Sequence, residues 1–308
     1  MPHARYGSEH WGAELLDGSD DVDALAELMA LGLEGEAAQV ASSALPWFVH
    51  WLEKTGASHD RRAIPLVDAA LMRSNLLMSL SDDERTVILD LVRTRLELGI
   101  VSEAYRTLLD DWTSCLKRDA IRSARIVGWG LDLLDLFLEF PRPVVGSVFE
   151  FASVVVGLVR EFRDRVSEAD HIRCSNLCME LGYPPYERVA RGEGARAEAS
   201  AFADLGNATI LIYTLTERAA RQAAAVLKEL APSARVELAH DGVNSDRLRD
   251  LARNSDLVVL CWKSATHAAS SAIESARGGR PIVRPAGKGC SSILSNIRDW
   301  SATRAEAA

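Results

Sequence analysis

Thr209-Ile210-Leu211-Ile212-Tyr213 is the stretch that decides the fold. Five consecutive apolar or β-branched residues, with no polar alternation, are the pattern of a strand buried on both faces. The residues after it alternate between helical and strand patterns. Glu217 to Leu230 has helical periodicity and many alanines, and Pro232 ends it. Arg235 to Ala239 reads as a second strand, Ser245 to Arg253 as a second helix and Asp256 to Trp262 as a third strand. Thr266 to Arg277, Pro281 to Arg284 and Ser291 to Ile297 then supply a helix, a fourth strand and a short final helix. Strands that alternate with helices require right-handed crossovers and a parallel sheet. The expected architecture is a small doubly wound α/β domain with strand order 2-1-3-4.

Upstream of this pattern the chain reads as all helix. From Asp21 to about Tyr183 apolar residues recur at helical spacing, as in Leu25, Leu28 and Met29, or Val87, Leu91, Val92 and Leu96. About seven or eight helices are expected there. Ser81-Asp82-Asp83-Glu84 places a capping serine three residues before a glutamate, which predicts a helix from about Asp82 to Leu98. Pro46, Pro65, Pro141 and Pro143 are expected at breaks or in first turns, because a proline inside a helix removes a hydrogen bond and clashes with the preceding turn. Between Leu181 and Ser200, LGYPPYERVARGEGARAEAS interrupts the apolar periodicity with paired prolines and glycines. The chain therefore divides into an all-helical part, residues 1–185, a linker, 186–204, and the α/β part, 205–303.

Composition bounds the class. Of 308 residues 48% are hydrophobic and 26% charged, close to soluble globular averages. The five cysteines, Cys115, Cys174, Cys178, Cys261 and Cys290, form an odd, unevenly spaced set that fits reduced thiols. No secretory signal is evident at the start, and the longest apolar stretches, Ile126 to Phe140 and Val144 to Val159, are interrupted by Asp132, Asp135, Glu139 and Glu150. These features predict a cytoplasmic protein without a membrane span. Residues 200–308 hold 14 Lys+Arg against 11 Asp+Glu, so the net charge of −9 resides in the helical part. A mildly basic α/β part suits an anionic ligand, although ordinary solvated surface is the simpler reading of such an imbalance.

In a doubly wound sheet, ligands bind beyond the carboxyl ends of the strands, where adjacent loops diverge. Each strand end here is polar. The first ends at Thr214-Leu215-Thr216, the second at His240-Asp241-Gly242 and the third at Lys263-Ser264-Ala265-Thr266-His267. After the fourth, Gly287-Lys288-Gly289-Cys290-Ser291-Ser292 joins two glycines, a lysine and two serines at a helix start, which is the chemistry of an anion site. Its spacing is not that of a P-loop, and a loop that merely caps its helix is the competing reading. The candidate ligand residues are Thr214, Thr216, His240, Asp241, Gly242, Lys263, Ser264, His267, Gly287, Lys288, Gly289, Ser291 and Ser292.

His240-Asp241-Gly242, the strand at Asp256 to Leu260, Ser264-Ala265-Thr266-His267 and the Gly287 to Ser292 loop resemble a bacterial Rossmann-like domain family of unknown function with His-Asp-Gly and Ser/Cys-x-x-His motifs. The resemblance covers the last hundred residues or so. It implies that His240, Asp241, His267 and the glycine-serine loop belong together, and that the protein is a component of a bacterial genome-defence or stress system.

Other constellations have bland counterparts. His240, Asp241, His267, Ser264 and Lys263 include the residue types of a base, an orienting group and a nucleophile, but a triad is defined by geometry. Hydrogen-bonded strand-end histidines are the simpler reading. His171, Cys174 and Cys178 share one helix face yet lack a fourth ligand, which favours packing over zinc, and neither metal nor cofactor is assigned. Trp47 with Trp51, and Trp112 with Trp129, are expected in the core. Cys261 is expected in a buried strand; Cys290, at a helix start beside Lys288, has either a lowered pKa or a structural role.

The sequence thus favours a non-enzymatic regulatory or scaffold component. Its helical part would contact a protein partner or a second copy, and its α/β part would bind an anionic small ligand or a partner. The alternatives are a hydrolase or transferase acting on a nucleotide or phosphorylated substrate, and a nucleic-acid-binding subunit.

Overall fold

The computed structural model describes residues 16, 19–30, 35–76, 80–183, 186, 202 and 204–306. By contacts the chain forms two compact units. One comprises Met1–Ile121 with Leu136–Phe151, and the other Arg122–Asp135 with Ala152–Ala308. Most of the interval 186–204 lies outside the described residues.

The first unit is helical. Its helices are α1 (Ser19–Ala30), α2 (Gly35–Thr55), α3 (Ile64–Asn75), α4 (Asp82–Glu97) and α5 (Ser102–Leu116), with parts of α6 (Ala124–Glu139) and α7 (Val145–Glu161). The start of α4 is the expected capping box: the Ser81 hydroxyl accepts from the Glu84 amide at 3.3 Å, and the Glu84 carboxylate accepts from the Ser81 amide at 2.7 Å. These reciprocal bonds satisfy two orphan donors of the first turn. The core contains Leu52, Leu66, Leu91 and Leu109, and Phe137 makes edge-to-face contacts with Tyr105 and Phe151.

Two expectations are corrected in α2. Pro46 lies inside the helix rather than at a break. Leu45, Phe48, Val49 and Leu52 bury the surrounding turns, and tertiary packing outweighs the missing backbone bond. Trp47, expected in the core, is 72% exposed, because it lies on the opposite side of the helix from this buried stripe, whereas Trp51 is buried. The other prolines behave as expected. Pro65 occupies the first turn of α3, and Pro141 and Pro143 separate α6 from α7.

In the second unit the elements are α8 (Glu168–Leu181), β1 (Thr209–Tyr213), α9 (Glu217–Leu230), β2 (Arg235–Ala239), α10 (Asp246–Asn254), β3 (Leu257–Leu260), α11 (His267–Arg277), β4 (Ile282–Val283) and α12 (Cys290–Glu306). The sheet is parallel throughout, in the order β2-β1-β3-β4. This is the expected α/β fold behind an all-helical region. Alternate residues of the buried strands serve opposite faces, as the two-residue period requires. Ile210, Ile212, Leu257 and Val259 pack with α9 and α12, and Ala169 and Ile172 of α8 join that cluster. Leu211, Tyr213, Val258 and Leu260 pack with α10 and α11.

Local devices fix the strand ends and crossovers. Asp256 aligns the starts of β1 and β3, since its carboxylate accepts from the Thr209 amide at 2.8 Å and its own amide donates to the Thr209 carbonyl at 2.7 Å. Arg277, buried at the end of α11, donates to four carbonyls, those of Ala252, Ser255, Asp256 and Pro281, at 2.5–3.0 Å. A guanidinium has enough donors to satisfy several chain-end acceptors at once. Gly278 then adopts φ 53°, the left-handed conformation that ends α11 with little steric cost.

Candidate functional site

The carboxyl ends of β1, β2 and β3 are tied into one rim. The His240 Nδ1 lies 2.6 Å from the Thr214 carbonyl oxygen, which makes Nδ1 the donor and leaves Nε2 the acceptor of the neutral ring. Tyr213, buried at the end of β1, donates its hydroxyl to the Asp241 carbonyl at 2.8 Å. The Leu215 amide donates to the Ser264 carbonyl at 2.8 Å, and the Thr216 and Ser264 hydroxyls share a hydrogen bond of 2.8 Å. Thr266 caps α11 by accepting from the Ala269 amide, and its hydroxyl donates to the Gly242 carbonyl at 3.0 Å. Each loop is thereby held by at least one other.

Within this rim, Thr214 and Thr216 are buried, His240, Asp241, Lys263 and Ser264 are partly buried, and Gly242 and His267 are exposed. The Thr214 hydroxyl accepts from the Thr216 amide at 3.0 Å and stabilises the turn. Ser264 faces Thr216, so its hydroxyl has a threonine partner where a serine nucleophile would have a histidine. Lys263 lies 5.9 Å from the ring centroid of Trp262. One oxygen of Asp241, Oδ2, is buried without a hydrogen-bond partner among the described residues.

The loop after β4 faces a different environment. Asp132, on α6, accepts from the Ser291 amide at 3.2 Å, directly at the start of α12. Arg173, on α8, donates to Asp132 at 2.6 Å and to the Ser291 hydroxyl at 2.6 Å, and that hydroxyl donates to the Gly128 carbonyl at 3.2 Å. The Gly287 amide donates to the Ser292 hydroxyl at 3.0 Å. An added Cβ at Gly289 would lie 2.8 Å from the Asp132 carboxyl group, so glycine is required there for the carboxylate to approach. The anion at this helix start is supplied by the chain itself, in agreement with the attraction between helix N-termini and carboxylates. Lys288 and Gly289 are partly buried and Gly287 is buried.

The charge cluster around Arg173 was not legible as a unit in the sequence. Arg173 is fully buried and lies 2.6, 3.2 and 3.7 Å from carboxylate oxygens of Asp132, Asp170 and Asp135. Arg218 extends it, reaching Asp135 at 2.9 Å and Glu180 through two bonds of 2.7 and 2.9 Å. Burial pushes the Asp132 carboxyl above the usual carboxylate range despite Arg173, and pushes Asp135 up to about 6 against the pull of Arg173 and Arg218. The available signal was Leu131-Asp132-Leu133-Leu134-Asp135, two acids three apart in a strongly apolar helix, since buried carboxylates demand cationic partners.

The cysteines are all reduced and buried. A lowered pKa at Cys290 is excluded, because burial raises its thiol well above the ordinary value and outweighs the nearby Arg173. Burial likewise pushes Cys261 up to about 12. Both ring nitrogens of His171 have protein partners, the Tyr186 hydroxyl at 2.9 Å and the Arg163 carbonyl at 3.0 Å. Among the described residues no group of three or more His, Cys, Asp or Glu is arranged to hold a metal ion. No described helix is long and apolar enough to cross a membrane.

A family model described as DpdD-like matches residues 2–296. The chain belongs to the DpdD-like family. The match spans both the helical and the α/β regions, further than the resemblance seen in the last hundred residues, so the two regions occur together as one family unit. The family is linked to genome-defence systems. No curated protein and no solved structure matches the chain.

Proposed function

We propose that this protein is a non-catalytic regulatory component of a bacterial defence system, acting in the cytoplasm. Its α/β region takes an anionic small ligand at the rim formed by the loops after β1, β2 and β3, and its helical region contacts a protein partner. The observation that carries this reading is the contrast between two strand-end environments. The start of α12 already holds the Asp132 carboxylate, whereas the rim brings His240, Lys263 and His267 to loops that are braced against one another. Braced polar groups at the ends of parallel strands are the usual setting for ligands in such sheets. The Ser264–Thr216 hydroxyl pair supports binding over nucleophilic catalysis. Residues 1–121 with 136–151 contain 12 Lys+Arg against 23 Asp+Glu, which suits a basic surface on the protein partner.

The test is incubation of the purified protein with nucleoside phosphates, sugar phosphates and inorganic phosphate, monitored by thermal unfolding and by mass spectrometry of each mixture. A raised melting temperature with the ligand recovered unchanged supports the reading. Conversion of a ligand would replace it with the competing one, a hydrolase or transferase working at the same strand ends.

A further inference from the structure

Among the described residues beyond 204, the exposed large apolar side chains are Leu215, Val243 and Trp262, at 43%, 68% and 52%. They lie on the loops after β1, β2 and β3 respectively. The loops are the ones joined by the Leu215 amide to Ser264 carbonyl bond and the Thr266 hydroxyl to Gly242 carbonyl bond. The three therefore lie at the carboxyl ends of neighbouring parallel strands, where ligands bind in such sheets.

Trp262 is not a loosely placed side chain. It opens the one-turn 3₁₀ helix Trp262–Ser264, which is closed by the Ser264 amide to Cys261 carbonyl bond at 2.8 Å and anchored to β1 through Leu215. Its indole thus presents a flat face from a fixed backbone. The Lys263 ammonium lies over one face of the ring, 5.9 Å from its centroid, which leaves the other face for a partner, and His267 begins α11, whose first turn carries no acidic residue. In contrast, α9 and α10 begin with Glu217 and Asp246, and α12 takes Asp132.

We propose that the rim binds a free nucleoside phosphate, with the base stacked on Trp262 and the phosphate held by Lys263 and His267. This proposal rests on the ligand-binding reading of the rim and narrows it to one chemical class. A base supplies the flat apolar face that an exposed indole needs. Its phosphate complements the Lys263 ammonium and the start of α11. A simple phosphate would leave Trp262, Leu215 and Val243 without a role. Stacking on an aromatic side chain tolerates any base, so the site selects nucleotides as a class before it selects among bases.

The experiment is isothermal titration of the full chain with ADP, GDP, CDP and UDP, and with adenosine and inorganic phosphate as half-ligands. At least one diphosphate is expected to bind more tightly than either half-ligand. Trp262→Ala should weaken that diphosphate about tenfold or more and leave phosphate binding unchanged, while Trp262→Phe, which keeps an aromatic face, should retain most of the affinity. Lys263→Ala with His267→Ala should remove the diphosphate's advantage over adenosine. Circular dichroism establishes that each variant is folded; these side chains are exposed or partly buried, so folding should survive. Absence of diphosphate binding at millimolar concentration would overturn the proposal, as would tighter binding of a short single-stranded oligonucleotide. Binding of sugar phosphates or inorganic phosphate that depends on Lys263 and ignores Trp262 would overturn the nucleotide assignment while leaving the broader anionic-ligand reading in place.

Discussion

The guanidinium of Arg173 donates to the carboxylate of Asp132 at 2.6 Å, both side chains are buried, and the same carboxylate accepts from the Ser291 amide at the start of α12. One ion pair therefore joins α6, α8 and α12 within the second unit. Burying two charges is costly, and this arrangement is sustained only because every partner is present.

Replacing Arg173 with Met should strand Asp132 beside a neutral side chain and remove one cation from Asp135, which keeps Arg218, and from Asp170. Breaking a buried pair from one side costs about 3–5 kcal/mol, so the transition midpoint in urea should fall sharply. Adding Asp132→Asn to Arg173→Met should recover part of the loss, because it removes the stranded charge. Urea denaturation of the three proteins checks this, and a fully additive double variant would show that the two residues do not interact.

Gly289→Ala should be destabilising by about 1–3 kcal/mol, since its Cβ would meet the Asp132 carboxyl group at 2.8 Å. Gly242→Ala is the matching control. Nothing lies within 4 Å of a Cβ at Gly242, so its melting temperature should stay near that of the parent protein.

Asp135 gives stability a specific pH dependence. Its folded pKa, pushed up to about 6 by burial, lies above the unfolded value near 4. The folded state therefore holds the proton more tightly. This contribution is fully present below about pH 4 and is lost as pH rises through about 6. Asp135→Asn, which mimics the protonated form, should gain stability relative to the parent as pH is raised from 4 to 7. Paired urea titrations at pH 4.5, 5.5 and 7 measure the difference, and a difference that does not vary with pH would contradict the assignment.

The five cysteines are buried, and burial raises the thiol pKa at Cys115, Cys261 and Cys290. Native protein at pH 8 should react with a thiol-specific reagent far more slowly than urea-unfolded protein. Rapid labelling of Cys290 in the native state, located by peptide mapping, would contradict its buried placement at the start of α12.

The α/β fold was legible because its signals are local. The apolar run at 209–213, the alanine-rich periodicity of 217–230 and the capping box at Ser81 each contain their own evidence within a few residues, and the strands and helices appear where they are expected. Boundaries were less legible where amphipathicity weakens. The expected final helix ended at Ile297, but α12 continues to Glu306, with Ser301 buried on a face that composition alone does not mark. Pro46 and Trp47 misled for the opposite reason, since whether a helix tolerates a proline, or exposes an indole, depends on which side its neighbours cover. The Asp132–Arg173–Ser291 cluster was invisible because Arg173 and Ser291 lie 41 and 159 positions from Asp132, and no local pattern pairs them. At the strand ends the sequence indicated the polar loops; that Asp132 meets the start of α12, while the loops after β1, β2 and β3 are tied to one another, required the fold.

The most direct test of that contrast compares ligand-induced stabilisation in two variants. Thermal unfolding with the tightest-binding nucleoside diphosphate should show the parent's upward shift in Lys288→Ala, and little or none in Lys263→Ala/His267→Ala. The reverse result, with the shift lost in Lys288→Ala and kept in the rim variant, would place the ligand at the start of α12 and contradict the account.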